Sequence, residues 1–124
     1  MSLRDLFFAF GLGIFASLAA AQESHTVRPE VGKPLQSAID LLKGKKAKEA
    51  LAMAREAQAV PNKTPYESYM VTRLIAQAAA GAGEPGVAAK AFEEIAGSAS
   101  AGDVERRQFA AAAAGQYYIA KDYA

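Results

Sequence analysis

The chain has 124 residues, 14 of them basic and 13 acidic, with a net charge of +1 and no cysteine. That length holds one small domain, and the balanced charge supplies no field that would draw nucleic acid or an anionic membrane surface. Without cysteine there is no disulfide, thiolate metal site, cysteine nucleophile or lipidated cysteine, and the single His25 cannot by itself build an imidazole metal cluster or a histidine relay.

The first segment reads as an address. Arg4 and Asp5 precede an uncharged apolar run from Leu6 to Ala21 that closes on Ala19-Ala20-Ala21. That is the order of a signal peptide: a charged start, an apolar middle and a cleavage site of small residues. As a helix the run spans ~24 Å, short of the ~30 Å hydrocarbon core, so cleavage near Ala21 is expected over an uncleaved anchor. Residues 1–21 are thus a signal peptide that meets the membrane only in transit. The mature chain is expected outside the cytoplasm, periplasmic or secreted from a bacterial cell. Residues 22–33 read as a polar, extended leader.

From residue 34 onward every segment has a helical pattern, and no window shows the alternation of a strand. Pro34 is expected in a first turn, followed by Leu35, Ala38, Ile39 and Leu42 at three- and four-residue spacing, to about Lys43. "KGKK" breaks this helix, and Ala47, Ala50, Leu51, Ala54 and Ala57 carry the second to "AVPN". In "TPYE", Thr64 is a cap, Pro65 a first helical residue and Glu67 the acidic arm of a capping box. The third helix follows through Tyr69, Met70, Leu74 and Ile75. "AGEPG" ends it, a fourth spans Val87 to about Ala96, and Asp103 is expected to cap a fifth that reaches about Ile119. Short connections between such helices make successive ones antiparallel. Alanine runs such as "FAAAAAG" (Phe109 to Gly115) favour helix and let backbones approach closely.

Lys45, Gly83 and Lys121 stand 38 residues apart, each at a break, and Ala38, Ala76 and Ala114 each precede one by seven. A helix-turn-helix period of this size signals a stacked array. At these residues the chain resembles the tetratricopeptide repeat family. The small position of its first helix is Ala38, Ala76 and Ala114, and the eleventh is Leu41, Ala79 and Tyr117. The second-helix pair is Ala50 with Ala54 and Ala88 with Phe92, and the turn is closest in Lys121-Asp122-Tyr123. The resemblance implies an all-α array of stacked helical hairpins over residues 34–124, about two and a half repeats, with the third incomplete. Helix five would then present Phe109, Ala113, Tyr117 and Tyr118 without a covering helix. A domain that is marginally stable, or self-associates through that helix, is expected.

The residues outside this pattern support no catalyst. "GAGEPG" (Gly81 to Gly86) has the letters of G-x-G-x-x-G, but a helix precedes it where a dinucleotide fold needs a strand. Lys43, Lys45, Lys46 and Lys48 surround one turn and read as solvated cations near a helix C-terminus. "NKT" at Asn62 reads as part of the cap of the third helix. Glu93 and Glu94 are adjacent and point ~100° apart on a helix, so they share no proton. No cofactor and no metal is expected.

The resemblance further implies a non-enzymatic scaffold whose first helices line a concave groove for a protein or peptide. Its usual groove positions fall on Leu35, Ile39, Leu42 and Lys43, then Met70, Arg73 and Gln77, then Gln108, Tyr118 and Ile119. The asparagines and lysines with which some relatives grip a terminal carboxylate have no counterpart. The alternative is a delivery or assembly domain of a longer envelope protein whose other part carries an enzymatic activity.

Overall fold

The computed structural model describes residues 25–122. The expected signal segment and cleavage site, and Tyr123, lie outside the described residues. Within them are five helices and no strand: α1 (Pro29–Lys43), α2 (Ala47–Gln58), α3 (Pro65–Gly81), α4 (Pro85–Ala96) and α5 (Asp103–Asp122). The architecture is therefore all-α. Each helix packs on its successor and α1 also packs on α3, and the intervening loops are short enough to make neighbours antiparallel.

The 38-residue step recurs in the helix boundaries. α2 and α4 begin at 47 and 85 and end at 58 and 96, α1 and α3 end at 43 and 81, and α3 and α5 begin at 65 and 103. The turns repeat too. Lys45 and Gly83 are both left-handed, at φ 60° and 77°. In the first, Lys46 N–H donates to Leu41 O and Lys45 N–H to Leu42 O; in the second, Glu84 and Gly83 donate to Ala79 and Ala80 O. Both are Schellman endings, in which a left-handed residue lets the chain satisfy the last helical carbonyls as it reverses.

Four expectations are corrected. The leader is not extended to residue 33: α1 starts at Pro29, and Pro34 lies inside it. Pro29 occupies the first helical position, and fully buried Val31 anchors the extra turn. α4 likewise opens at Pro85 rather than Val87, and Asp103 is the first residue of α5 rather than its cap. Among the described residues the third turn does not begin. Lys121 and Asp122 continue α5, because "IAKD" holds neither the glycine nor the left-handed residue that ends α1 and α3.

Alanine dominates the core. Ala38, Ala50, Ala54, Ala57, Ala76, Ala78, Ala79 and Ala88 are fully buried beside Val31, Leu35, Leu51, Val71, Leu74, Ile75 and Ile95. Where such methyl faces meet, helix backbones come close: a Cβ added to Gly81 at the end of α3 would lie 3.0 Å from the Ala47 Cβ that opens α2. The small position is buried in the first two hairpins, but Ala114 is exposed, since no described helix follows α5 to cover it.

Equivalent faces of α1 and α3 differ in chemistry. On α3, Val71, Leu74, Ile75 and Ala78 are buried. Their counterparts one period earlier on α1, Lys33, Gln36, Ser37 and Asp40, are exposed and polar. Among the described residues α1 thus turns a polar face to solvent.

Candidate functional site

α1 and α3 lie side by side and leave a cleft of about 440 Å³ lined by Ile39, Leu42, Lys43, Met70, Arg73, Leu74 and Gln77. The helical spacing explains the stripe. Met70, Arg73 and Gln77 follow one another at three and four residues on α3, and Ile39 and Lys43 do so on α1. The floor is apolar, from Ile39, Leu42, Met70 and Leu74. The rim carries the two cations Lys43 and Arg73 and the amide of Gln77, and no carboxylate lines the cleft.

Of the residues that the family resemblance assigns to a groove, Ile39, Leu42, Lys43, Met70, Arg73 and Gln77 are brought together here. Leu35 is not: it is 5% exposed and belongs to the core beneath. Gln108 and Tyr118 stand exposed on α5 outside the cleft, and Ile119 borders a separate hollow of about 460 Å³ with Ala80, Gly83, Pro85 and Gln116. Leu74 was missed as a lining residue because its helical position reads equally as core.

Arg73 is half-buried, and its guanidinium lies 5.8 Å from the centre of the Phe109 ring, which stacks on Phe92 at 5.9 Å. This corrects the expected bare face of α5. Phe109 is half-buried and Ala113 buried against α4, so the free face comprises Val104, Ala110, Ala111, Ala114, Tyr117 and Tyr118. Two tyrosine–carboxylate hydrogen bonds fix α5 further. The Tyr69 hydroxyl donates to Glu105 and the Tyr117 hydroxyl to Glu93. Burial first, and then the Glu105 carboxylate, push the Tyr69 hydroxyl above its ordinary pKa, whereas for Tyr117 the Glu93 hydrogen bond is the larger cause.

Among the described residues the one fully buried charge is structural. Glu67 is 0% exposed and accepts from the Thr64 N–H, the Arg28 N–H and the Arg28 guanidinium at 2.9 to 3.2 Å. Thr64 Oγ1 accepts from Glu67 N–H in return, completing the capping box. The backbone donors, with Arg28, hold the Glu67 carboxyl at about 2. Arg28 also donates to the carbonyls of Pro61 and Asn62, so the segment preceding α1 is tied to the loop between α2 and α3. Every acceptor position of Glu67 is thus occupied, leaving nothing for general acid–base work.

The remaining sequence candidates stand apart. Lys45, Lys46 and Lys48 border a shallow depression of about 290 Å³ with Glu49, away from Lys43. Gly81 to Gly86 comprise the end of α3, a turn and the start of α4. Asn62 is left-handed in the loop, and Thr64 caps α3. Among the described residues no group of three or more metal-ligating side chains converges, and no helix is long and apolar enough to cross a membrane. No protein-family model, curated protein or solved structure matches the chain.

Proposed function

We propose that the chain is a non-enzymatic, exported helical-repeat scaffold of tetratricopeptide-like form that binds an extended peptide or a partner helix in the α1–α3 cleft. The observation that carries this reading is the cleft itself. Six side chains drawn from two hairpins, all at positions that the family resemblance assigns to a groove, converge on one apolar floor with a polar rim. Their placement on the first helices of two successive hairpins favours an elongated ligand over a compact one, since the two helices present contacts along one line. Export rests on the charged start, apolar run and small-residue site of residues 1–21.

Selection of random peptides on the immobilised full chain tests the groove. Enriched sequences with a shared apolar spacing are expected, and their binding should fall ~10-fold or more in Met70→Glu, which places a charge on the apolar floor. Helicity should be unchanged, because Met70 is only half-buried. Enriched peptides that bind Met70→Glu equally well, but fail with Lys45, Lys46 and Lys48 changed to glutamate, would move the site to the lysine turn.

A further inference from the structure

The rim of the α1–α3 cleft carries charge that the 38-residue period does not supply. One period later the counterpart of Lys43 is Gly81 and that of Arg73 is Ala111, while Leu42 and Met70 give way to Ala80 and Gln108. One period earlier the counterpart of Arg73 is Leu35. Two cations and a bulky apolar floor thus coincide at this cleft, and the equivalent positions elsewhere hold neither cation. Lys43 suits the last turn of α1 in any case, because a cation there meets the negative end of the helix dipole. Arg73 has no such role, since it sits half-buried in the middle of α3.

Neither cation is neutralised by the protein. Among the described residues no carboxylate pairs with Lys43 or Arg73, and none lines the cleft. The acids on neighbouring turns are engaged elsewhere. Asp40 accepts from Gln36 on the polar face of α1, and Glu105, the acid that shares Tyr69 with Arg73, accepts from the hydroxyl of that tyrosine. The Arg73 guanidinium is steadied by the Phe109 ring, a contact that restrains the side chain while leaving its positive charge without a carboxylate.

The occupant follows from what the cleft can satisfy. Ile39, Leu42, Met70 and Leu74 gain from an apolar side chain laid over them, and Lys43 and Arg73, on opposite helices, gain from anionic groups on either side of it. Gln77 adds an amide that donates and accepts, as a peptide backbone requires. Single-stranded nucleic acid would need a ring to stack on, and no aromatic side chain lines the cleft. A net charge of +1 offers no wider field to hold a polyanion. We infer, resting on the α1–α3 cleft as the binding groove, that its occupant is a segment of another protein in which aspartate or glutamate side chains flank a bulky apolar anchor. The acids are side chains within the segment, so a free terminal carboxylate is not required.

The strength of this selection is bounded. An ion pair at the edge of solvent is worth ~3-fold in affinity, so the two together give ~10-fold. The apolar floor holds the segment, and the rim chooses which one.

Three matched display libraries test this on the full chain, each presenting ~12-residue internal segments with no free terminus. They share randomised Leu, Ile or Met positions and differ only in their spacers: Asp and Glu, Asn and Gln, or Lys and Arg. At low salt the acidic library should yield binders ~10-fold tighter than the neutral one and tighter still than the basic one, with the gap narrowing as salt rises. Lys43→Gln with Arg73→Gln should bring the acidic-to-neutral ratio to ~1, whereas glutamine at Lys45, Lys46 and Lys48 should leave it unchanged. Because Arg73 also contacts Phe109, the double variant is checked for helicity; if that falls, Lys43→Gln alone, at an exposed position, should lower the ratio ~3-fold. Acidic and neutral binders of equal strength, both lost in Met70→Glu, overturn the acidic partner and leave the groove standing. An acidic preference that survives at Lys43 and Arg73 but disappears with Lys45, Lys46 and Lys48 also overturns it, in favour of the lysine turn. Failure of every library to yield a binder sensitive to Met70→Glu overturns the groove itself.

Discussion

Glu67 shows how one residue can be legible and still be half understood. Its place three residues after Thr64 identifies a capping box, and the structure contains one. Its second partner, Arg28, is 39 residues away and carries no periodic signal, so sequence pattern cannot pair them. That missing partner is also why the start of α1 is misread: Pro34 looks like a first-turn proline only while the chain before it has nothing to hold. The linkage has a definite sign. The folded carboxyl lies at about 2, below its ordinary value of 4.5, so its contribution is complete above the ordinary value and fades as pH falls from there towards 2. Glu67→Gln should lower the melting temperature by several degrees at neutral pH, and the gap from wild type should close on acidification into that window. A gap that stays constant down to pH 2 would show that the carboxylate charge is irrelevant to the clamp.

At the scale of elements, the hairpin turns were the most readable features, because glycine, proline and lysine clusters break helical periodicity sharply. Their equivalence extends to a strained detail. Lys45 adopts the left-handed conformation that Gly83 adopts one period later, and a side chain there is disfavoured by roughly 1 kcal/mol or more. No atom lies within 4 Å of a Cβ built on Gly83, so the two positions isolate the backbone effect. Gly83→Ala should lose ~1 kcal/mol, while Lys45→Gly should be neutral or gain up to ~1 kcal/mol despite the added freedom of the unfolded chain. Urea unfolding of both variants measures this, and a destabilised Lys45→Gly would show that the lysine side chain outweighs its backbone strain. The end of α5 was misread for the complementary reason. Position 121 continues the count of 38 but lacks the residue types that make a turn, and the period alone does not break a helix.

For the whole molecule, the consecutive packing of five helices makes stability local. α5 is held by Phe92 and Phe109, by Arg73 over the Phe109 ring, and by two tyrosine hydroxyls. Phe109→Ala removes the centre of that cluster and should cost about 2 kcal/mol, less than a fully buried phenylalanine because the ring is half-exposed. Hydrogen exchange should then speed up across α5 and α4 while α1 and α2 keep their protection, since they reach α5 only through intervening helices. Uniform loss of protection over all five helices would instead indicate a single cooperative unit.

The methyl-lined core has an evolutionary corollary. At the buried alanine positions almost no rotamer is frozen on folding and almost no side chain is left to truncate, so the familiar route of damage, a cavity left by a shortened residue, is confined to the larger core residues such as Leu35, Leu51, Leu74, Ile75 and Ile95. The opposite route is wide open. Ala50, Ala76 and Ala88 are fully buried, so a longer side chain at any of them has to be accommodated by shifts of the packed helices around it. Substitutions at these positions are therefore filtered by direction: a descendant of this chain can drift at its surfaces and cleft, but at the buried alanines it is confined to the smallest residues.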